Sequence, residues 1–127
     1  MRAIFRPGMD WSPSLVEGER IIRHGLAEDR RGLGGGNTGP VYLTDRRLIW
    51  RQGPITWPLR RSQLNLRLAD IDSVGKTTVF SYIAGGHRLE LRMKTGKTHR
   101  IWVNGLDQWI EDVRHAVDNA RLAEAAG

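Results

Sequence analysis

The stretch His87-Arg-Leu-Glu-Leu-Arg-Met-Lys-Thr-Gly-Lys-Thr-His-Arg-Ile-Trp-Val103 predicts a β-hairpin more clearly than any other part of the chain. Apolar and polar side chains alternate on both arms, which is typical of strands with one buried face. Gly96 suits the left-handed position of a three-residue loop, and such a loop pairs Leu91 with His99. A two-residue turn would place Leu91 opposite Arg100 and split the apolar face. The three-residue turn is therefore predicted.

The spacing of apolar residues changes directly after this hairpin. From Asn104 onward, apolar residues recur at spacings of three and four, which predicts one amphipathic helix over about 105–122. Because only one side of this helix is apolar, it must pack on the sheet or close an open barrel end. The apolar residues are Leu106, Trp109, Ile110, Val113, Ala116, Val117 and Ala120, and the acidic residues expected to face water are Asp107, Glu111, Asp112 and Asp118.

The residues before the hairpin predict further strands, so that the strands together span about 19–103. A two-residue turn at 45–46 sets Val41 opposite Trp50, while Tyr42 and Ile49 share the other face. Each large apolar side chain then meets another, and this match fixes the register. The segments interpreted as strands before the hairpin are 19–28, 40–44, 47–51, 64–68 and 77–83.

Length and composition predict one folded domain over 1–127, with residues 1–18 as an N-terminal extension. The chain has 127 residues, of which 39% are hydrophobic and 27% charged, and this is outside the range of disordered chains. The absence of cysteine excludes disulfides and thiol catalysis and fits a reducing compartment. No apolar run approaches the roughly 18 residues of a membrane span. The protein is therefore expected to be cytoplasmic.

The net charge of +6 is unevenly distributed. Residues 20–103 hold 16 basic and 6 acidic residues, whereas residues 104–127 hold 2 and 5. A basic sheet region with an acidic helix is therefore expected. Of the 20 basic residues 17 are arginine, whose guanidinium group binds phosphate and carboxylate in a bidentate manner, although codon bias explains the same count.

The motifs that resemble catalytic or cofactor sites do not have the surroundings that such chemistry needs. The glycines of 34–39 match the spacing of a dinucleotide fingerprint, but the following residues, from Pro40 onward, predict a strand instead of a helix. The four histidines lack metal-ligand spacing, and no serine lies in a nucleophile elbow. The sequence therefore predicts a non-enzyme with no catalytic residues, metal or cofactor.

Several short motifs resemble the pleckstrin-homology (PH) superfamily. They are Leu43-Thr-Asp-Arg-Arg-Leu-Ile49, the entry Leu15-Val-Glu-Gly-Glu-Arg-Ile21, the strand exit Leu68-Ala-Asp-Ile-Asp-Ser-Val74, the Gly96-Lys97 hairpin and Trp109 near the helix start. The nearest relatives would be GRAM domains and bacterial PH-type domains. This resemblance implies a mainly β fold: a partly open barrel of about seven antiparallel strands in two near-orthogonal sheets, with one end closed by the C-terminal helix.

The resemblance also implies a non-catalytic binding or adaptor module. In lipid-binding members, three loops gather at one mouth of the barrel; here these are 29–39, 52–63 and 94–97, and each contains two basic residues. Anionic lipid headgroups would bind to their side chains, and Trp57 would enter the membrane interface. The basic residues are Arg30, Arg31, Arg60, Arg61, Lys94 and Lys97.

We expect the module to recognise a protein or peptide partner. An accessible apolar surface around Tyr42, Ile49 and Trp102 is the predicted contact. Peripheral binding to anionic lipid is the alternative, and non-specific nucleic-acid binding, suggested by arginines near Trp50, Trp57 and Trp102, ranks last because the helix is acidic. Both a monomer and a homodimer are compatible with the sequence.

Overall fold

The computed structural model of the chain describes residues 13–29, 37–51, 63–77 and 87–126. Within these residues it has seven strands, a short 3-10 helix and one α-helix. Their bounds are β1 (Ile21–Asp29), β2 (Asn37–Thr44), β3 (Arg47–Arg51), β4 (Gln63–Arg67), η1 (Leu68–Asp70), β5 (Ile71–Thr77), β6 (Arg88–Met93), β7 (Thr98–Val103) and α1 (Leu106–Ala126).

The two predicted hairpins have the predicted registers. In the first, Val41 lies opposite Trp50 and Tyr42 opposite Ile49. In the second, Leu91 lies opposite His99. The turn of the second hairpin is confirmed as well, because Gly96 has a φ of 95°, a conformation that side chains with a Cβ rarely adopt.

All seven strands join in one antiparallel sheet in the order β4-β3-β2-β1-β7-β6-β5. The two halves, expected as two sheets, are connected where β1 pairs with β7 through Ala27 opposite Val103 and Glu28 opposite Trp102. Among the described residues β4 and β5 each pair with a single neighbour, so the sheet is open. The mainly β fold with seven antiparallel strands and one C-terminal helix is confirmed.

The fifth strand begins earlier than the sequence pattern indicates. β5 spans Ile71–Thr77, and most of this segment belongs to the predicted strand exit Leu68–Val74. Ile71 and Val74 are three residues apart and both buried, because a β-bulge between Ile71 and Ser73 inserts an extra residue. This bulge interrupts the alternation of buried and exposed residues by which a strand is recognised in a sequence. Of the strand predicted over 77–83, all residues after Thr77 lie outside the described part.

Helix α1 covers the sheet with the apolar side that its spacing predicts, and it extends four residues beyond the predicted end. It contacts η1, β5, β6 and β7. The core also contains Trp50, which is fully buried and whose Nε1 donates to the Ala27 carbonyl at 3.1 Å. The buried helix residues are Trp109, Ile110, Val113, Ala116 and Val117.

One acidic residue of α1 does not face water as expected. Asp112 is half-buried, and its carboxylate pairs with Arg23 of β1 at 2.5 Å. The Arg23 guanidinium also lies 5.6 Å from the ring centroid of Trp109. Gly25 of β1 also lies against this indole, where a Cβ would be in ordinary van der Waals contact, 3.5 Å from Trp109 Cζ2. These contacts hold the start of α1 against β1.

Candidate binding surfaces

The basic loops predicted to bind anions are described only in part. Lys94 and Lys97 are exposed on the turn between β6 and β7. The backbone N–H of Lys94 donates to the Asp70 carbonyl at 2.9 Å, which ties this turn to η1. The other five predicted anion-binding residues, Arg30, Arg31, Trp57, Arg60 and Arg61, lie outside the described residues.

The three residues of the predicted partner surface share one side of the sheet, opposite to the core. Tyr42 pairs with Ile49, and Trp102 pairs with Glu28, which is on the same side of β1 as His24. Ile49 is only 9% exposed, and Tyr42 and Trp102 are half-buried. All three strands are internal to the sheet, so their backbones offer no free edge to a partner.

A more exposed apolar residue, absent from the sequence prediction, lies beside them. Leu26 of β1 is 64% exposed and pairs with Pro40. His24 pairs with Tyr42, and the centroids of their rings are 6.1 Å apart. The alternation of Ile22, His24 and Leu26 along the predicted first strand was the signal that could have found this surface. We call His24, Leu26, Pro40, Tyr42 and Ile49 the outer-face patch.

The motifs Leu15–Ile21 and Leu43–Ile49 contact each other through a buried polar network at the C-terminal end of β2. Glu19 is 7% exposed, and its carboxylate accepts two hydrogen bonds from Arg47, at 2.8 and 3.0 Å. The Thr44 hydroxyl donates to the same carboxylate at 2.6 Å. It also accepts from the backbone N–H groups of Arg46 and Arg47. The network fixes the β2–β3 turn to the segment before β1, and we interpret it as structural.

Comparison with known proteins supports the architecture. No protein-family model and no curated protein sequence matches the chain. Among solved structures, the Vps36 N-terminal PH domain matches with a TM-score of 0.59 and 23% identity, over 84% of this chain and 85% of that one. The Slm1 PH domain in complex with phosphoserine matches with a TM-score of 0.56 and 18% identity, over 77% and 96%. The chain has a PH-like fold.

A third structural match for this PH-like domain is the C-terminal domain of an unknown protein from Leishmania infantum. It has a TM-score of 0.61 and 14% identity over 79% of this chain and 85% of that one. At such identities the three matches establish the fold alone. They do not assign the chain to the GRAM or bacterial types.

In this PH-like domain the helix also covers the backbone of one sheet edge. The Arg114 Nε donates to the Val74 carbonyl of β5 at 3.0 Å. Arg121 donates to the Asp72 carbonyl at 2.9 Å and to the Ile71 carbonyl. Side chains of α1 thus satisfy backbone carbonyls of the edge strand β5.

The described residues lack the features of two other kinds of site. They contain no group of three His, Asp or Glu side chains arranged to hold a metal ion. No helix among them has the length and apolar character needed to cross a bilayer. Trp50, which the nucleic-acid alternative used, is fully buried and cannot stack on a base.

Proposed function

We propose that this PH-like domain is a non-catalytic protein-binding module whose partner packs on the outer-face patch. The exposure of Leu26 carries the proposal. This side chain is 64% exposed in the middle of a strand and lies next to other apolar side chains. Its burial by a partner would contribute favourable free energy to binding.

The chemistry of the patch indicates the chemistry of the partner. None of its five residues is Asp, Glu, Lys or Arg, although 27% of the chain is charged and Glu28 lies on the same side of β1. Charged residues are depleted at the centre of protein interfaces, and aromatic residues such as tyrosine are enriched there. We therefore expect a partner that presents aliphatic or aromatic side chains, with a polar group that can bond to the His24 ring or the Tyr42 hydroxyl.

Docking on a sheet face differs from docking by strand addition. The patch lies on β1, β2 and β3, each of which has paired neighbours on both sides. Side chains, and not backbone groups, must then supply the contacts. A single side-chain substitution is therefore expected to have a large effect on partner binding.

The experiment compares two leucines of similar exposure. Leu26→Asp changes the patch, whereas Leu122→Asp changes a leucine of α1 that is 68% exposed. Proteins retained by the full chain from an extract of its own organism are identified, and the strongest candidate is purified and titrated against each variant. Leu26→Asp should weaken its binding by about tenfold or more, as expected for loss of a central apolar contact. Leu122→Asp should leave binding unchanged, and amide shifts should map to β1 and β2.

Binding to anionic lipid is a separate outcome of this test. Vesicles of phosphatidylcholine with and without phosphatidylserine are sedimented with the wild type, Leu26→Asp and the double variant Lys94→Glu/Lys97→Glu. The proposal would be contradicted by two results together. The protein would sediment with vesicles only when they contain phosphatidylserine, and only the double variant would lose this binding. In addition, no candidate protein would bind more weakly to Leu26→Asp. That result would favour the basic-loop alternative, in which each basic residue adds about 1 kcal/mol.

A further inference from the structure

A cavity of ≈ 550 Å³ lies where the segment before β1, the β2–β3 turn, β4 and the last turns of α1 meet. Val16 and three alanines, Ala69, Ala120 and Ala123, form its apolar walls. The small alanine side chains leave the space open. Its size falls in the range of about 300–1,000 Å³ that is typical of small-molecule pockets.

The walls are held in place by contacts that need no ligand. The Glu19 carboxylate is fixed by Arg47, Thr44 and the backbone N–H of Val16, the last at 3.0 Å. On the opposite wall Arg67 of β4 pairs with Glu124 of α1 at 2.5 Å. A site whose walls are already ordered loses less entropy when a ligand binds.

One of the arginines that line the cavity is available to bind an anion. Two arginines of the lining are paired with acidic residues, as described above. The Asp45 carboxylate accepts from the backbone N–H of Arg20 at 3.1 Å. Arg46 is exposed, with its Nη2 atom over Gly18, and none of the described residues forms a hydrogen bond or ion pair with its guanidinium group. Arg46 is thus the group at the mouth that can receive an anion.

We propose that this cavity binds an aliphatic carboxylate. The hydrocarbon chain would pack on Val16 and the three alanines, and the carboxylate would accept charge-assisted hydrogen bonds from Arg46. The two motifs that resemble the PH superfamily entry and turn, Leu15–Ile21 and Leu43–Ile49, contribute Val16 and Arg46. This site is separate from the outer-face patch and does not depend on the function proposed for it.

The probe is decanoate, used below its critical micelle concentration with the full ¹⁵N-labelled chain, and 1-decanol is the uncharged comparison. Decanoate should shift the amides of Gly18, Arg46 and Ala123 in a saturable manner. Ala123→Phe fills the cavity and should weaken binding by about tenfold or more. Ala125→Phe places the same ring at an exposed helix position outside the lining and should leave binding unchanged.

Arg46→Gln removes the positive charge at the mouth and keeps a polar side chain there. It should weaken decanoate binding by about tenfold or more, because the charge-assisted hydrogen bonds to the carboxylate are lost. It should leave decanol binding unchanged. Non-saturable shifts, equal effects of Ala123→Phe and Ala125→Phe, or an equal loss of decanoate and decanol binding in Arg46→Gln would overturn the proposal. Circular dichroism of each variant separates loss of binding from loss of fold.

Discussion

Glu19 illustrates how one buried side chain connects distant parts of the sequence. Burial by itself raises the pKa of its carboxyl group. The hydrogen bonds from Arg47, Thr44 and the Val16 N–H, together with the positive charge of Arg47, outweigh burial and lower this pKa below its ordinary value of 4.5. Because the folded-state pKa is lowered, the ionised carboxylate stabilises the fold above about pH 4.5, and this stabilisation is lost as the pH falls through the lowered pKa.

Glu19→Gln should therefore destabilise the protein in a pH-dependent way. At about pH 7 the substitution leaves Arg47 without its partner charge, and we expect the free energy of unfolding to fall by about 2–4 kcal/mol. The difference from the wild type should shrink as the pH falls through the lowered pKa, since the wild-type carboxylate then becomes protonated. Urea unfolding at about pH 7 and at the lowest pH at which the wild type stays folded measures it. Glu17→Gln, at an exposed position in the same segment, is the control; an equal deficit at both pH values would contradict this account.

At the scale of the element, the edge strand β5 depends on side chains of α1. Arg114 and Arg121 satisfy carbonyl groups of Ile71, Asp72 and Val74. An edge strand with unoccupied backbone groups tends to pair with another chain. The helix therefore protects the edge as well as covering the core.

The double variant Arg114→Gln/Arg121→Gln should expose this edge. We expect faster amide hydrogen exchange in β5 and, at high concentration, self-association seen as an increased mass by light scattering. Arg100→Gln, which removes an ion pair with Glu90 on an internal strand, should change neither measurement. If the double variant has the hydrogen exchange and the light-scattering mass of the wild type, the arginines do not protect the edge.

Elements with a strict local pattern were predictable from the sequence, and those with an irregular one were not. The β6–β7 hairpin could be placed to the residue because Gly96 allows a single turn that keeps the apolar side chains together. β5 could not, because its bulge separates Ile71 and Val74 by three residues. Asp112 looked like an ordinary solvent-facing helix residue, since its partner Arg23 is 89 residues away.

At the scale of the whole molecule, the sequence indicated the side of the sheet that carries the patch but not its exposed centre. Tyr42 and Ile49 follow from the register of one hairpin. The exposure of Leu26 depends on the pairing of β1 with β2 and on which side α1 covers, and both are set by long-range packing. The cavity beside Arg46 was likewise not predictable, because its walls come from four separate segments of the chain.

The most direct test of the central claim, that the outer-face patch contacts a protein partner, is photocrosslinking in the cells of origin. A photoreactive phenylalanine analogue is introduced at Leu26 in one variant and at Leu122 in another. We expect a discrete crosslinked product from position 26, absent from position 122 and suppressed when Tyr42→Asp is combined with the label at 26. No product at 26, or the same product from both positions, would contradict the account.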